Sequence, residues 1–137
     1  MADSTFDLEC DRLSRLADPE QFEKLEWART SGASLLEAER LALQAFEHRK
    51  DLILASQPTD DRRKRFALST QGSTPRDIAT LWMKVEGQML ALWLEPRPGS
   101  GFRISGGGKP FTLSTKDIDE NWIISALQQL ISLIDRS

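Results

Sequence analysis

The chemistry open to this chain rests on its cations and its indoles. Arg62-Arg63-Lys64-Arg65 is an unbroken basic run, and Trp82, Lys84, Trp93 and Arg103 follow it. Rings interleaved with cations on one open surface suit single-stranded nucleic acid, because bases stack on the rings while Lys and Arg meet phosphates. The basic run also suits a plainer role, as a solvated loop that pairs with the chain's own acidic helices. Which role holds depends on whether these side chains share one face.

Other groups offer less. His48 is the only histidine. On a helix it shares a face with Leu41, Ala45 and Leu52, which places it at a core edge and gives a general base no nucleophile to serve. One histidine builds no His-rich metal site, and Cys10, alone, supports neither a disulfide framework nor a cysteine zinc site. Cys10 reads as a small buried apolar residue on a helix. No cofactor or metal is expected. The glycine-rich stretch 99–110 resembles a phosphate loop only in composition. Arg103 stands where the loop needs its first glycine, and Pro110 follows Lys109 where Ser or Thr belongs. Sheet turns account for those glycines. The carboxylate pairs Asp60-Asp61 and Asp119-Glu120 fall beside the basic run and in a helix first turn, where the dipole favours negative charge. Nucleophile-elbow, zinc-protease and kinase motifs do not occur. An enzyme would need Arg103, Lys109, His48 or Asp77 to converge on a pocket.

The tryptophans are positioned by residues 80–95, which read as a β-hairpin closing at Gly87-Gln88. Glycine at the first central position signals a two-residue type II′ turn. That turn sets Glu86 against Met89 and Trp82 against Trp93. The side-chain period of two then places Leu81, Met83, Val85, Leu90, Leu92 and Leu94 on one apolar face, and Trp82, Trp93, Lys84, Ala91, Glu86 and Met89 on a mixed one. Arg103 joins the mixed face if residues 102–105 continue the register.

Helices precede the hairpin. Phe6, Cys10, Leu13 and Ala17 recur at spacings of four, three and four, with Leu16 beside them, after a capping pattern at Ser4 and Asp7. Asp18-Pro19 restarts a second helix carrying Phe22, Leu25 and Trp27, which is expected to end in a left-handed residue at Gly32. Ser34 then caps a third helix reaching about Ser56, with a stripe through Leu35, Ala38, Ala42, Ala45, Phe46, Leu52 and Ile53. The short link implies an antiparallel helical hairpin. Strands are expected at 66–70, 102–105 and 111–113, a helical turn at 74–77, and a last, strongly apolar helix over 119–135.

The fold class is therefore α+β: about three N-terminal helices on a four-stranded antiparallel meander with a C-terminal helix. The helical region is 1–57 and the sheet plus last helix 58–137, together one compact unit of 137 residues. Hydrophobic and charged fractions of 39% and 28% are those of an ordinary globular chain and argue against global disorder. The net charge of −3 is unevenly spread: residues 1–60 carry 7 basic against 13 acidic side chains, residues 61–118 carry 10 against 5. An acidic N-terminus without an apolar run points to the cytoplasm and to no membrane. The leading functional expectation is a non-enzymatic cytoplasmic protein-interaction module, an adaptor, regulator, chaperone or inhibitor, whose partner is another protein or a second copy of the chain. The alternative is a single-stranded nucleic-acid-binding protein that uses the basic run, Trp82, Lys84, Trp93 and Arg103.

Overall fold

The computed structural model describes residues 2–60 and 62–137, and its architecture is α+β. Helix α1 (Ala2–Ala17) begins ahead of Ser4, so the capping pattern read at Ser4 lies inside the helix. The restart at Asp18 is as expected. The Asp18 carboxylate accepts from the Gln21 amide at 3.1 Å, and Pro19 opens α2 (Pro19–Trp27), where its missing N–H is no loss.

The expected break at Gly32 does not occur. Ala28–Gly32 is one π-helical turn that leads straight into α3 (Ala33–Phe46), and Gly32 is right-handed with φ −64°. The Thr30 hydroxyl donates back into its own helix, to the Glu26 carbonyl, while the Ser31 hydroxyl donates to the Gly87 carbonyl of the hairpin turn at 3.3 Å. Gly32 serves a different purpose. A Cβ there would lie 2.9 Å from the Trp27 ring, so glycine is what lets that indole fold against the helix. The result is one long interrupted helix, and no antiparallel hairpin forms between the second and third helical segments.

The third helix is also shorter than expected. It ends at Phe46, and Leu52 and Ile53, read as part of its stripe, open strand β1 (Leu52–Gln57). β1 pairs antiparallel with β2 (Arg63–Thr70), and β2 with β3 (Asp77–Glu86). β3 starts where a helical turn was expected at 74–77. The hairpin of β3 and β4 (Met89–Pro96) has the register derived from its turn, from Glu86↔Met89 to Leu81↔Leu94. Gly87 takes φ +58° and no described non-glycine residue has positive φ, so Gln88 is negative, as a type II′ turn requires.

Beyond β4 the meander differs from expectation. β5 (Phe102–Ile104) leaves the main sheet and pairs with β7 (Ile134–Arg136), which follows the last helix in the chain. The free edge of β4 is taken by β6 (Phe111–Ser114) through Met89↔Ser114 and Leu92↔Phe111. The main sheet thus has five strands in the order β1-β2-β3-β4-β6. Helix α4 (Glu120–Ser132) is capped by Asp119, which accepts from the Trp122 amide at 2.8 Å.

The core lies on one side of the sheet. All six residues of the apolar hairpin face are buried, with Phe66, Leu54 and Leu68 beside them. α3 covers them through Leu35, Ala38, Leu41 and Ala42, and α4 through Ile123, Leu127 and Leu130. The last helix is therefore buried on one side, as its composition demands, but Ile124 and Ile131 point outward.

Candidate interaction surfaces

Trp82 and Trp93, on the other face of the sheet, are half-buried, and an open hollow beside Trp93 is shared with Glu95, Ile104 and Gly108. Their rings lie side by side, with centroids 6.1 Å apart and planes 9° from parallel, as a directly opposed cross-strand pair allows. The β2–β3 register brings Arg65 opposite Trp82 and Arg63 opposite Lys84. Both guanidinium groups sit over the Trp82 ring, at 5.1 Å for Arg63 and 5.7 Å for Arg65. Trp82, Trp93, Lys84, Arg63 and Arg65 therefore do share a surface.

Arg62 meets only the edge of that surface, where it lines a hollow with Asp60, Arg63 and Lys84, and Lys64 and Arg103 lie elsewhere. Strand alternation turns Lys64 to the helix side, where its Nζ lies 3.8 Å from Glu39. Arg62 precedes the strand and lies over Trp27 at 5.2 Å, with Glu23 at 3.9 Å. Arg103 is carried off with β5 and faces Asp135 across the small sheet at 3.7 Å. Its expected position required β5 to follow β4, and β6 occupies that edge.

The shared surface also carries its own counter-charges. Arg63 donates to Asp60 at 2.7 Å, Lys84 pairs with Glu86, and the Trp82 indole N–H donates to Glu95 at 2.9 Å. The Arg63 guanidinium, helped by the Arg62 amide, holds the Asp60 carboxyl below the usual carboxylate range. Arg65 donates instead to the Pro58 carbonyl at 2.8 Å, and its Nε is buried without a described partner. Asp61, expected to pair with Asp60, lies outside the described residues.

Residues named as possible catalysts scatter. His48 is exposed, and the helix that would have set it on an apolar face has already ended. Asp77 accepts from Ser69 at 2.8 Å and from Arg97 at 2.9 Å, at the rim of an open hollow shared with Arg76, Ser100 and Arg136. Arg103, Lys109 and His48 are not part of that hollow.

The most exposed apolar surface was not singled out as a site by sequence reasoning. On α1, Phe6, Leu13 and Leu16 are 68%, 63% and 68% exposed, and Cys10 and Ala17 are exposed with them. Cys10 is thus not the buried residue expected. Among residues 5–17 of α1 the inward positions are polar: Asp11 and Ser14 are half-buried, and Asp11 meets Arg29 at 3.4 Å. The single-residue link at Asp18 folds α1 onto α2 by this polar edge, and Arg15 lies over the Phe22 ring at 4.7 Å. The stripe was legible as amphipathic; its outward direction was not. Leu25 on α2 and Leu36 on α3 are also exposed. An open, mostly apolar hollow of about 480 Å³ lies between the end of α3 and α4, lined by Phe46, Leu52, Ile124 and Ile131 with Arg49 and Gln128 among them.

Among the described residues no group of three His, Cys, Asp or Glu side chains is placed to hold a metal ion, and no helix is long and apolar enough to cross a membrane. No family model, curated protein or solved structure matches the chain.

Proposed function

We propose that this protein is a non-catalytic protein-interaction module, of the adaptor, regulator, chaperone or inhibitor kind, and that its contact surface is the outward stripe of α1. The supporting observation is the inversion of that helix: polar residues face the chain's own body while Phe6, Leu13 and Leu16 face out. Single exposed leucines need no explanation, but a contiguous stripe does. Covering a Leu or Phe side chain completely is worth about 1.5–3 kcal/mol, so a partner that covers these three gains about 1–2 kcal/mol from each. The hollow between α3 and α4 adds apolar surface of the same kind.

The test is a photo-crosslinking amino acid at position 13, compared with one at position 8. Leu8 is 67% exposed but lies on the opposite side of α1 from the stripe. Covalent adducts with a protein are expected from position 13 and not from position 8. Equal yields, or none from 13, would sink the reading.

A second reading, single-stranded nucleic-acid binding, is favoured by one observation: Arg63 and Arg65 over Trp82 on the tryptophan face. Asp60 and Glu86 weigh against it, since each sets a carboxylate beside a cation, Arg63 or Lys84, that a phosphate would need, and Glu95 already holds the Trp82 indole N–H. Loss of an oligonucleotide complex on Trp93→Ala is the measurement that would support it.

A further inference from the structure

Three arginines far apart in the sequence converge on one hollow. Arg76 precedes β3, Arg97 follows β4 and Arg136 ends β7, and with Asp77 and Ser100 they line an open space of about 460 Å³. None of its lining residues belongs to α1, so the hollow stands apart from the proposed contact surface. We propose that it is a binding site for a dianionic phosphomonoester group, held by the guanidinium groups of Arg76, Arg97 and Arg136 and by the Ser100 hydroxyl.

Three observations carry this. The first is unbalanced charge. Of the chain's twelve arginines, Arg15, Arg65, Arg76 and Arg136 form no ion pair with a described carboxylate, and two of those four line this hollow. Its one carboxylate is Asp77, so the lining side chains sum to +2. A concave surface of one sign raises the local concentration of the opposite ion. The second is preorganisation. The β2–β3 ladder shifts register at Leu68/Ser69, which sets Ser69 opposite Asp77. The buried Ser69 donates to one oxygen of Asp77 at 2.8 Å, and Arg97 donates to the other at 2.9 Å. Asp77 thus fixes Arg97 through one nitrogen and leaves its other N–H groups for a ligand. Thr70 holds the backbone of Arg76 at both polar groups: its N–H donates to the Arg76 carbonyl and its Oγ1 accepts from the Arg76 amide, each at 2.9 Å. Arg136 is held in the β5–β7 pair and lies over the Phe102 ring at 5.6 Å. The third is the turn that brings Ser100 in. Gly99 and Gly101 take φ +77° and +85°, which side chains rarely adopt, and Ser100 stands between them. Its oxygen accepts from the Phe102 amide at 3.2 Å, which leaves its own proton for an acceptor in the hollow.

These groups select a phosphoryl ligand. Three guanidinium forks offer more donors than the two oxygens of a carboxylate accept, and the three oxygens of a phosphomonoester match them. Its charge of about −1.5 to −2 at neutral pH answers the excess positive charge of the lining. The hollow is open to solvent and salt screens exposed charges, so phosphate alone is expected to bind in the millimolar range.

The full-length protein is titrated with inorganic phosphate and with N-acetyl-phosphoserine methylamide, at constant ionic strength and neutral pH, and its backbone amides are followed by NMR. Saturable shifts centred on Gly99, Ser100, Gly101 and Arg136 are expected with both probes, and none with the unphosphorylated serine amide. Arg76→Gln and, separately, Arg136→Gln should each weaken binding about tenfold, as loss of one charge-assisted hydrogen bond implies. Arg12→Gln, on α1, should leave it unchanged. The amide spectrum of each variant shows whether its fold is kept. Binding of the phosphoserine amide at least as tight as that of phosphate upholds the site and points to a phosphorylated polypeptide; weaker binding upholds it and points to a free phosphate. Shifts that rise without saturating, that spread equally over residues 62–65, or that survive the Arg76→Gln and Arg136→Gln substitutions together overturn the inference.

Discussion

The tryptophan face gives the clearest quantitative test of which partner this protein accepts. On it, three cations (Arg63, Arg65 and Lys84) stand beside three carboxylates (Asp60, Glu86 and Glu95), each carboxylate bonded to Arg63, Lys84 or Trp82. The local charge therefore sums to zero. Binding of a single strand releases counterions in proportion to the phosphates neutralised, with log K falling against log salt at a slope of about −0.7 per phosphate. A neutral face neutralises none, and the wild-type protein is expected to show weak, nearly salt-independent quenching of its tryptophans by an oligothymidine, or none. Asp60→Asn, Glu86→Gln and Glu95→Gln together leave the three cations without counter-charges. The triple variant should then bind with a slope near −2, as about three phosphate contacts require. Fluorescence titration at several salt concentrations reads both slopes. A steep slope in the wild type, abolished by Trp93→Ala, would refute the reasoning and move the function to the second reading. A flat slope in the triple variant would show that Arg63 and Arg65 stay committed to the Trp82 ring and are not available to phosphate.

Three further outcomes are expected. Phe66→Ala, at a fully buried position between the sheet and its covering helices, should cost about 3–5 kcal/mol in urea unfolding, whereas Leu13→Asp at low concentration should change stability by less than about 0.5 kcal/mol. A loss of several kcal/mol for Leu13→Asp would mean that α1 packs on its own chain. Gly87→Ala forces a side chain onto φ +58° with open space around it, so the expected loss is the backbone term alone, about 1–2 kcal/mol, without any change in the hairpin's cross-strand contacts by NMR. Asp60 is held below its ordinary pKa first by the Arg63 hydrogen bond, so the pair's small contribution is present above the unfolded-state value and is lost as pH falls through the folded-state value. Carboxyl NMR should show Asp60 titrating on the acid side of an ordinary aspartate, and Arg63→Gln should bring it part of the way back, because the Arg62 amide still donates to it.

What the residues disclosed and what they hid divides along a physical line. The hairpin was legible to the single pair because a two-residue turn leaves no freedom of register, and the burial of Leu81 to Leu94 on one face follows from that register alone. The strand at 52–57 was hidden because Leu52 and Ile53 fall in phase with the α3 stripe, and a short apolar run fits either period. Arg103 was misplaced by tertiary competition: β6 and β5 are both short, and only the assembled molecule decides which one takes the edge of β4. The counter-charges on the tryptophan face come from three different segments, and only the fold brings Asp60, Glu86 and Glu95 to the same place.

The N-terminal helix was hidden for another reason. An amphipathic pattern states that a helix has an apolar side; it does not state that this side belongs to the helix's own domain. On α3 and α4 the apolar side meets the sheet, because both helices are joined to strands that hold them there. α1 is joined only to α2, through Asp18, and the contacts that orient it are an ion pair to Arg29 and a cation over Phe22. Such exposed polar contacts are worth little, about 1 kcal/mol or less each. That is less than the apolar gain from turning the stripe inward onto the chain's own surface, were a complementary surface within reach. The outward stripe persists even though Leu25 on α2 is itself half exposed, and on the proposed reading covering it falls to a second molecule.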